Sequence, residues 1–341
     1  MKSIAKALLV ALALALFSWY VAKLGPAQVW QIIAGIGAFA PLVLVPYFVV
    51  YIVDCLAWSQ TLPPPKPPFL ARFRIRWAGE SVNNLVPTAY VGGEAAKIML
   101  LRPFGISAHD GAVAAVVSKT AQTVSQLFFI VGASAIFFQI AHDRPKLRLG
   151  ILFILAAGVI AVALLFLAQK IGFFRMFWAV AGFLPFRSQP LESRKTRLLE
   201  LDRTIFGFYR DHTGKFYRST ALYLCGWTLD TVEIYLVAHL LGVPITWPQA
   251  LVMEAFTGVA KALGMWLPGS LGVQESGIIL MGKLVGLPDA FVAAYALIRR
   301  ARELVFAGVG MLLLYAGKNP PTPEKSYSEG TEDIERKIRA D

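Results

Sequence analysis

Two glutamates follow helix-breaking residues inside otherwise apolar stretches. Glu94 comes directly after Gly92 and Gly93, with Pro87 seven residues before it; Glu275 comes after Pro268, Gly269 and Gly272. A proline and glycines within a dozen residues interrupt a continuous helix, so each glutamate falls near the start of a returning half-helix. A carboxylate there meets free N–H groups and the positive end of a helix dipole. It suits proton exchange or pairing with a cationic headgroup, and the N–H groups themselves suit a lipid phosphate. The plain alternative is a capping acid.

Other ionisable groups stand in apolar surroundings. Lys119 lies within a long apolar run, with Gln122, Ser125 and Gln126 on or near its helical face, and Arg299, Arg300, Arg302 and Glu303 crowd another. A charge at membrane depth costs at least about 2.5–3.5 kcal/mol, so it faces a cavity or a partner. Lys119 and Arg300 either pair with Glu94 and Glu275 or offer a phosphate-binding surface, where a guanidinium binds in two-pronged fashion. Asn84 and Arg102 complete the candidate substrate-binding set. Asp230 and Glu233, three apart on one helix face, are candidate proton carriers, with pairing to Lys261 or an arginine as the structural alternative. Cys55 and Cys225 form no CxxC pair, and His109, His142, His212 and His239 lack ligand spacing. No metal site, disulfide framework or cofactor is expected.

These residues must be positioned by a membrane-embedded scaffold. Of 341 residues, 57% are hydrophobic and 16% charged, with a mean hydropathy of +0.59; soluble domains run to about 45–50% and about 25%. A span needs about 20 apolar residues, and six segments qualify: Ile4–Ala22, Ala38–Trp58, Gly111–Phe138, Leu149–Ala168, Phe216–Leu241 and Ala290–Tyr315. The first imitates a signal peptide but reads as an uncleaved span. Net charge is +12, yet the bases collect between apolar runs rather than in a stripe with aromatics. That favours the positive-inside rule over nucleic-acid binding. Lys2 and Lys6, the loop from Lys66 to Arg76, the connection 169–215 and the tail all fall on the cytoplasmic side. Arg144, Lys146 and Arg148 disagree. The expected location is the bacterial inner membrane, with both termini cytoplasmic.

The interrupted stretches Phe69–Gly105 and Ala250–Gly286 read as re-entrant helical hairpins, because broken backbone is tolerated in lipid only where protein buries it or it lines a cavity. They look related: at an offset of 181, Pro87 falls on Pro268, Glu94 on Glu275, Gly105 on Gly286 and Lys119 on Arg300. Three crossings separate the two glutamates, so the copies are inverted, a recurring transporter plan. The expected fold is an all-α polytopic membrane protein with about six spans and two re-entrant hairpins. Its transporter-like domain covers 1–317, with half-repeats at about 38–138 and 217–316. A segment at 171–215 links them, its Pro190–Lys215 portion reading as an amphipathic, basic, lipid-facing helix at the cytoplasmic surface. The tail 318–341 reads as largely disordered. Trp19, Trp58, Trp227 and Trp247 read as interfacial belt residues.

The run NNLVPTAYVGGEAAKIMLLRPFGIS, and the run WLPGSLGVQESGIILMGKLVGLP with IRRARE after it, resemble the transmembrane domain of the lysylphosphatidylglycerol synthase/flippase family. The likeness covers roughly Met1 to Gly317, closest in plan to stand-alone members, including those associated with hopanoid biosynthesis. It implies a lipid flippase centred on the two hairpins and the basic spans. Synthase members add a soluble aminoacyl-transfer domain; these residues hold no such segment, so aminoacylation is not expected of them. The expectation is therefore a non-enzymatic transporter that moves a lipid between leaflets by alternating access. The lipid carries an anionic or modified headgroup, or is of hopanoid type. The alternatives are an ion-coupled carrier of a small soluble solute and a membrane-embedded lipid-modifying enzyme with Glu94 or Glu275 as general base. Expected partners are the lipid substrate and the bilayer, with no nucleic acid; a homo-oligomer and lipid-biosynthesis proteins are compatible with this plan.

Overall fold

Long apolar runs satisfy their backbone groups internally by becoming helices, and the described part of the chain is helices joined by short turns. The computed structural model describes residues 34–86, 91–140, 145–173, 175–176, 195–265, 267–270 and 272–316. The expected first span, Pro87, residues 142–144 of the basic loop, much of the 171–194 linker and the tail lie outside them.

A 3-10 segment, Gly37–Val43, leads into α1 (Leu44–Ser59). Then come α2 (Phe69–Leu85), α3 (Val91–Leu101), α4 (Ala108–Ile140) and α5 (Pro145–Ile171). After α6 (Lys195–Asp211) follow α7 (Thr213–Leu240), α8 (Trp247–Leu263), α9 (Val273–Leu284) and α10 (Asp289–Ala316). Among the described residues, four segments are long and apolar enough to cross a membrane: Ala34–Ser59, Ala108–Gln139, Pro145–Ile171 and Thr213–Leu240. Each contains or nearly matches an expected span. The last expected span is a 28-residue helix that differs by its cluster of charges, Arg299, Arg300, Arg302 and Glu303, all of them buried.

Local chemistry sets the helix starts. Ser107 Oγ accepts the Asp110 amide at 3.0 Å at the head of α4. At the head of α8, the Thr246 amide donates to Gln249 Oε1 at 2.8 Å, while Thr246 Oγ1 accepts the Gln249 amide, a reciprocal cap.

In the packing, α7 lies against α1 and α4, while α2 pairs with α3 and α8 with α9. The α10 helix crosses α2, and α8 crosses α4. At the α2–α10 crossing, Trp77 Nε1 donates to the Phe306 carbonyl at 2.8 Å, and a side chain on Gly310 would overlap Ser81 and Trp77. The largest buried apolar cluster joins α4, α7, α8, α9 and α10 around Phe137, Ile234, Met253 and Tyr295.

Two expectations need correction. Trp58 is buried, not interfacial, with the Lys97 ammonium 5.7 Å from its ring. The amphipathic linker helix, α6, also turns much of its apolar face to protein: Ile205 is buried, and Leu201, Phe208 and Tyr209 pack with Val117, Ala121 and Phe216. Tyr209 OH donates to Gln169 Oε1 at 2.6 Å, and Gln169 Nε2 donates to Thr120 Oγ1 at 2.7 Å. Phe206 remains exposed.

Candidate functional site

The turn after α8 meets the end of α2 inside the bundle. Beyond α8 the chain turns through Pro268–Ser270, with φ of +55° at Gly269 and +78° at Gly272. Glycine enters this left-handed region without the Cβ clash that other residues meet. A Cβ on Gly269 would stand 3.2 Å from the Asn84 carbonyl oxygen and 3.6 Å from Arg300 Nη1. The second break therefore rests on the end of α2, where the first break begins.

Behind the first break, α2 and α3 run antiparallel at close range. The Gly93 amide donates to Asn83 Oδ1 at 2.8 Å, which satisfies one first-turn N–H of α3. Lys97 Nζ lies 2.7 Å from Glu94 Oε1 and 3.6 Å from Glu80 Oε1. From α4, Lys119 reaches Glu94 Oε1 at 3.7 Å and Gln122 Oε1 at 3.0 Å. Glu80 also faces Arg76 at 3.8 Å, and Arg76 Nη2 binds Asp54 Oδ2 of α1 at 2.6 Å. Tyr223 of α7 closes the edge, with Arg76 Nη1 at 3.4 Å and Ser118 Oγ at 2.6 Å.

Behind the second break lies a denser network. Glu275 sits in the first turn of α9, where its Oε2 accepts the Gly272 amide at 2.8 Å, and its other oxygen pairs with Arg300. Arg300 also donates to the Gly269 carbonyl at 2.7 Å and pairs with Glu303. Glu303 takes Lys261 at 3.1 Å and Gln274 Nε2 at 3.0 Å. Arg299 grips both oxygens of Glu254 and donates to Tyr295 OH at 2.9 Å. Arg302 pairs with Glu233 and stacks 3.6 Å from the Tyr47 ring centroid, a cation–π contact.

Such pairs offset the cost of burying charge only while complete; losing one partner costs about 3–5 kcal/mol. Lys119 and Lys261, with side chains 34% and 23% exposed, are the most accessible bases of the two networks.

The structure thus gathers Glu94, Lys119 and Asn84 near the first break and Glu275, Arg299, Arg300 and Glu303 near the second. Gly92 and Gly93 lie in the first turn of α3. Glu275 is both a cap and the partner of Arg300, the structural alternatives for these two residues. Glu233 takes the structural alternative by pairing with Arg302. Asp230 is buried, and its Oδ1 has no hydrogen-bond partner. Arg102 departs from expectation: it is exposed at the far end of α3, in the turn Arg102–Phe104. Sequence reasoning missed Asp54, Lys97, Glu254, Gln274 and Tyr295. For Asp54 and Glu254 the signal was present, since each is a lone acid in an apolar helix.

Comparison with known proteins places the chain among membrane proteins. A UPF0104 membrane protein of Methanothermobacter thermautotrophicus is 24% identical over 240 residues, covering 67% of this chain and 69% of the relative. No solved structure matches. The family described as the lysylphosphatidylglycerol synthase TM region matches residues 3–310. With that match over nearly its whole length, the chain belongs to the lysylphosphatidylglycerol synthase transmembrane-region family.

Proposed function

We propose that this protein is a lipid flippase that moves a lipid with an anionic or modified headgroup, or a hopanoid-type lipid, between leaflets by alternating access. The observation that carries the reading is the contact of Gly269 with Asn84, which sets the turn after α8 against the end of α2, with an ion-pair network behind each. Broken helices that meet inside a bundle provide a site for polar cargo in lipid.

An inverted repeat is part of the reading. Under the offset of 181, α2 falls on 250–266, across most of α8, and α3 falls on 272–282, within one residue of the start of α9. Ala108, the first residue of α4, falls on Asp289, the first of α10. Gly105 and Gly286, with φ of +78° and +83°, stand just before them. The crossings of α2 with α10 and of α8 with α4 exchange under the same offset. The Glu94–Lys119 pair falls on Glu275–Arg300.

In this reading the bases hold the headgroup and the protein is not an enzyme. Glu94 and Glu275, the carboxylates a lipid-modifying enzyme would use as bases, are each engaged by a cation. The domain spans 1–317, resides in the bacterial inner membrane with both termini cytoplasmic, and has the lipid and bilayer as its partners. Association with itself or with lipid-biosynthesis proteins is compatible with this plan.

The test is leaflet translocation of labelled lipids in proteoliposomes: anionic and aminoacylated phospholipids, a polyprenyl phosphate and a hopanoid. Transport by wild type, abolished in folded Glu94→Gln and Glu275→Gln proteins, supports the reading. No movement of any lipid in that panel removes it.

A further inference from the structure

Counted over the described residues, acids and bases are equal in number in each of the two ion-pair networks. The first sets Asp54, Glu80 and Glu94 against Arg76, Lys97 and Lys119. The second sets four acids, Glu233, Glu254, Glu275 and Glu303, against four bases, Lys261, Arg299, Arg300 and Arg302. One further carboxyl group, Asp230, is left over. It is 8% exposed, and among the described residues no base forms an ion pair with it and nothing hydrogen-bonds its buried Oδ1.

Its position is as informative as its lack of a base. One helical turn earlier on α7, Gly226 abuts Asp54, so that a Cβ there would stand 2.8 Å from Asp54 Oδ1. One turn later, Glu233 pairs with Arg302. Asp230 therefore lies at the seam between the networks. The titratable groups facing it are Asp54 from α1, Glu254 from α8, Arg299, Arg302 and the buried Tyr295 from α10, and the buried Tyr47 from α1. The α4 helix meets α7 through Ser118 and Ser125, and α6 meets it at Phe216. Both arginines are already committed, to Glu254 and Glu233. An ionised Asp230 would be a buried, uncompensated charge, which a low-dielectric interior disfavours. No cluster of three His, Cys, Asp or Glu gathers among the described residues to hold a metal ion instead, and a proton needs only the one oxygen.

We infer that Asp230 is a proton-binding site at the seam of the two networks, through which lipid movement is coupled to the proton gradient. The coupling rests on the transport reading above; the proton site does not. With its O–H bond formed, Asp230 is neutral and both networks stay intact. When that bond breaks and the proton passes to water, the carboxylate competes with Glu254 for Arg299 and with Glu233 for Arg302. That loosens α8, which leads into the second break, and α10, whose Arg300 holds it.

Infrared titration of the full-length protein in lipid, reading the protonated-carboxyl C=O stretch, tests the site without requiring transport. The expected result is a band at neutral pH that is absent in Asp230→Asn and shifted in Asp230→Glu. The Glu variant keeps the assignment testable if the Asn protein does not fold. A band unchanged in both variants places the proton elsewhere and overturns the proposal, as does the absence of a band in wild type. In proteoliposomes, an imposed pH gradient is expected to change the wild-type lipid translocation rate several-fold and to leave Asp230→Asn unresponsive. Equal response in the two proteins overturns the coupling. If wild type moves no lipid, the flippase reading fails while the infrared result still decides the proton site.

Discussion

Arg300 Nη1 donates to the carbonyl oxygen of Gly269 at 2.7 Å, tying α10 to the turn of the second helix pair. The same guanidinium pairs with Glu275 on α9 and Glu303 on its own helix. A planar fork engages three acceptors at fixed angles, which the point charge of lysine does not reproduce. Arg300→Lys is expected to keep the charge balance and the fold but to lower lipid translocation about tenfold or more, equivalent to ~1.4 kcal/mol at the barrier. Initial rates in proteoliposomes, beside a thermal unfolding midpoint, check this. Wild-type rates in the lysine variant would remove Arg300 from the working site.

Glu233 and Arg302 present a purer case of structural charge. Both are almost wholly buried, at 0% and 1% side-chain exposure. Glu233→Gln leaves a guanidinium without its counter-charge, at a cost of about 3–5 kcal/mol. The expected outcome is a clear drop in the unfolding midpoint in detergent. The double variant Glu233→Leu/Arg302→Met should be far less destabilised, because replacing both partners of a buried pair by apolar groups is far less costly. A single variant as stable as wild type would show that the pair is not formed.

What the sequence made legible follows from locality. Glu94 and Glu275 stood out because each follows its own helix breakers within a few residues, and the structure places both in the first turn of a returning helix. Asp54 and Glu254 passed unnoticed although each interrupts an apolar run. Their meaning depends on Arg76 and Arg299, 22 and 45 residues away, and such distant pairing leaves no local periodicity. The amphipathic character of α6 was visible, but an apolar stripe does not say whether lipid or protein covers it. The packing of Ile205 and Tyr209 against α4 and α7 answers that through tertiary contacts alone. Trp58 was misread for the same reason: a tryptophan at the end of an apolar run suits the interface, and its burial depends on Lys97 and its other neighbours from distant helices.

The close approach of α2 and α3 depends on small residues. A Cβ on Gly93 would overlap the Gly79 carbonyl oxygen and the Asn83 side-chain amide. Both are held in place, the first by its helix and the second by its bond to the Gly93 amide. Gly93→Ala is expected to force the helices apart at a cost of about 1–3 kcal/mol and to lose the Asn83 contact. Lower midpoint and faster proteolysis of the α2–α3 pair are the readouts; an alanine variant matching wild type in both would contradict the packing. Gly132→Ala, on α4 with nothing within 4 Å of the added methyl, serves as the neutral control.

The docking of α6 should be readable in alkaline solution. Burial pushes the Tyr209 hydroxyl up from 10.0 to about 12, partly opposed by a hydrogen bond with Thr120. Since the folded state holds this proton more tightly than the unfolded chain, stability is fully present below pH 10 and falls as pH rises towards 12. The loss is on the order of 2 kcal/mol. Tyr209→Phe removes the titrating group and also the bond to Gln169 Oε1, costing about 1 kcal/mol at neutral pH. The expected pattern is therefore a phenylalanine variant less stable than wild type near neutrality, with the gap narrowing or reversing at high pH. Unfolding midpoints measured across that range, with other tyrosines common to both proteins, isolate the Tyr209 contribution. Parallel curves for the two proteins would mean that Tyr209 is not buried against α5 and that α6 is not docked through it.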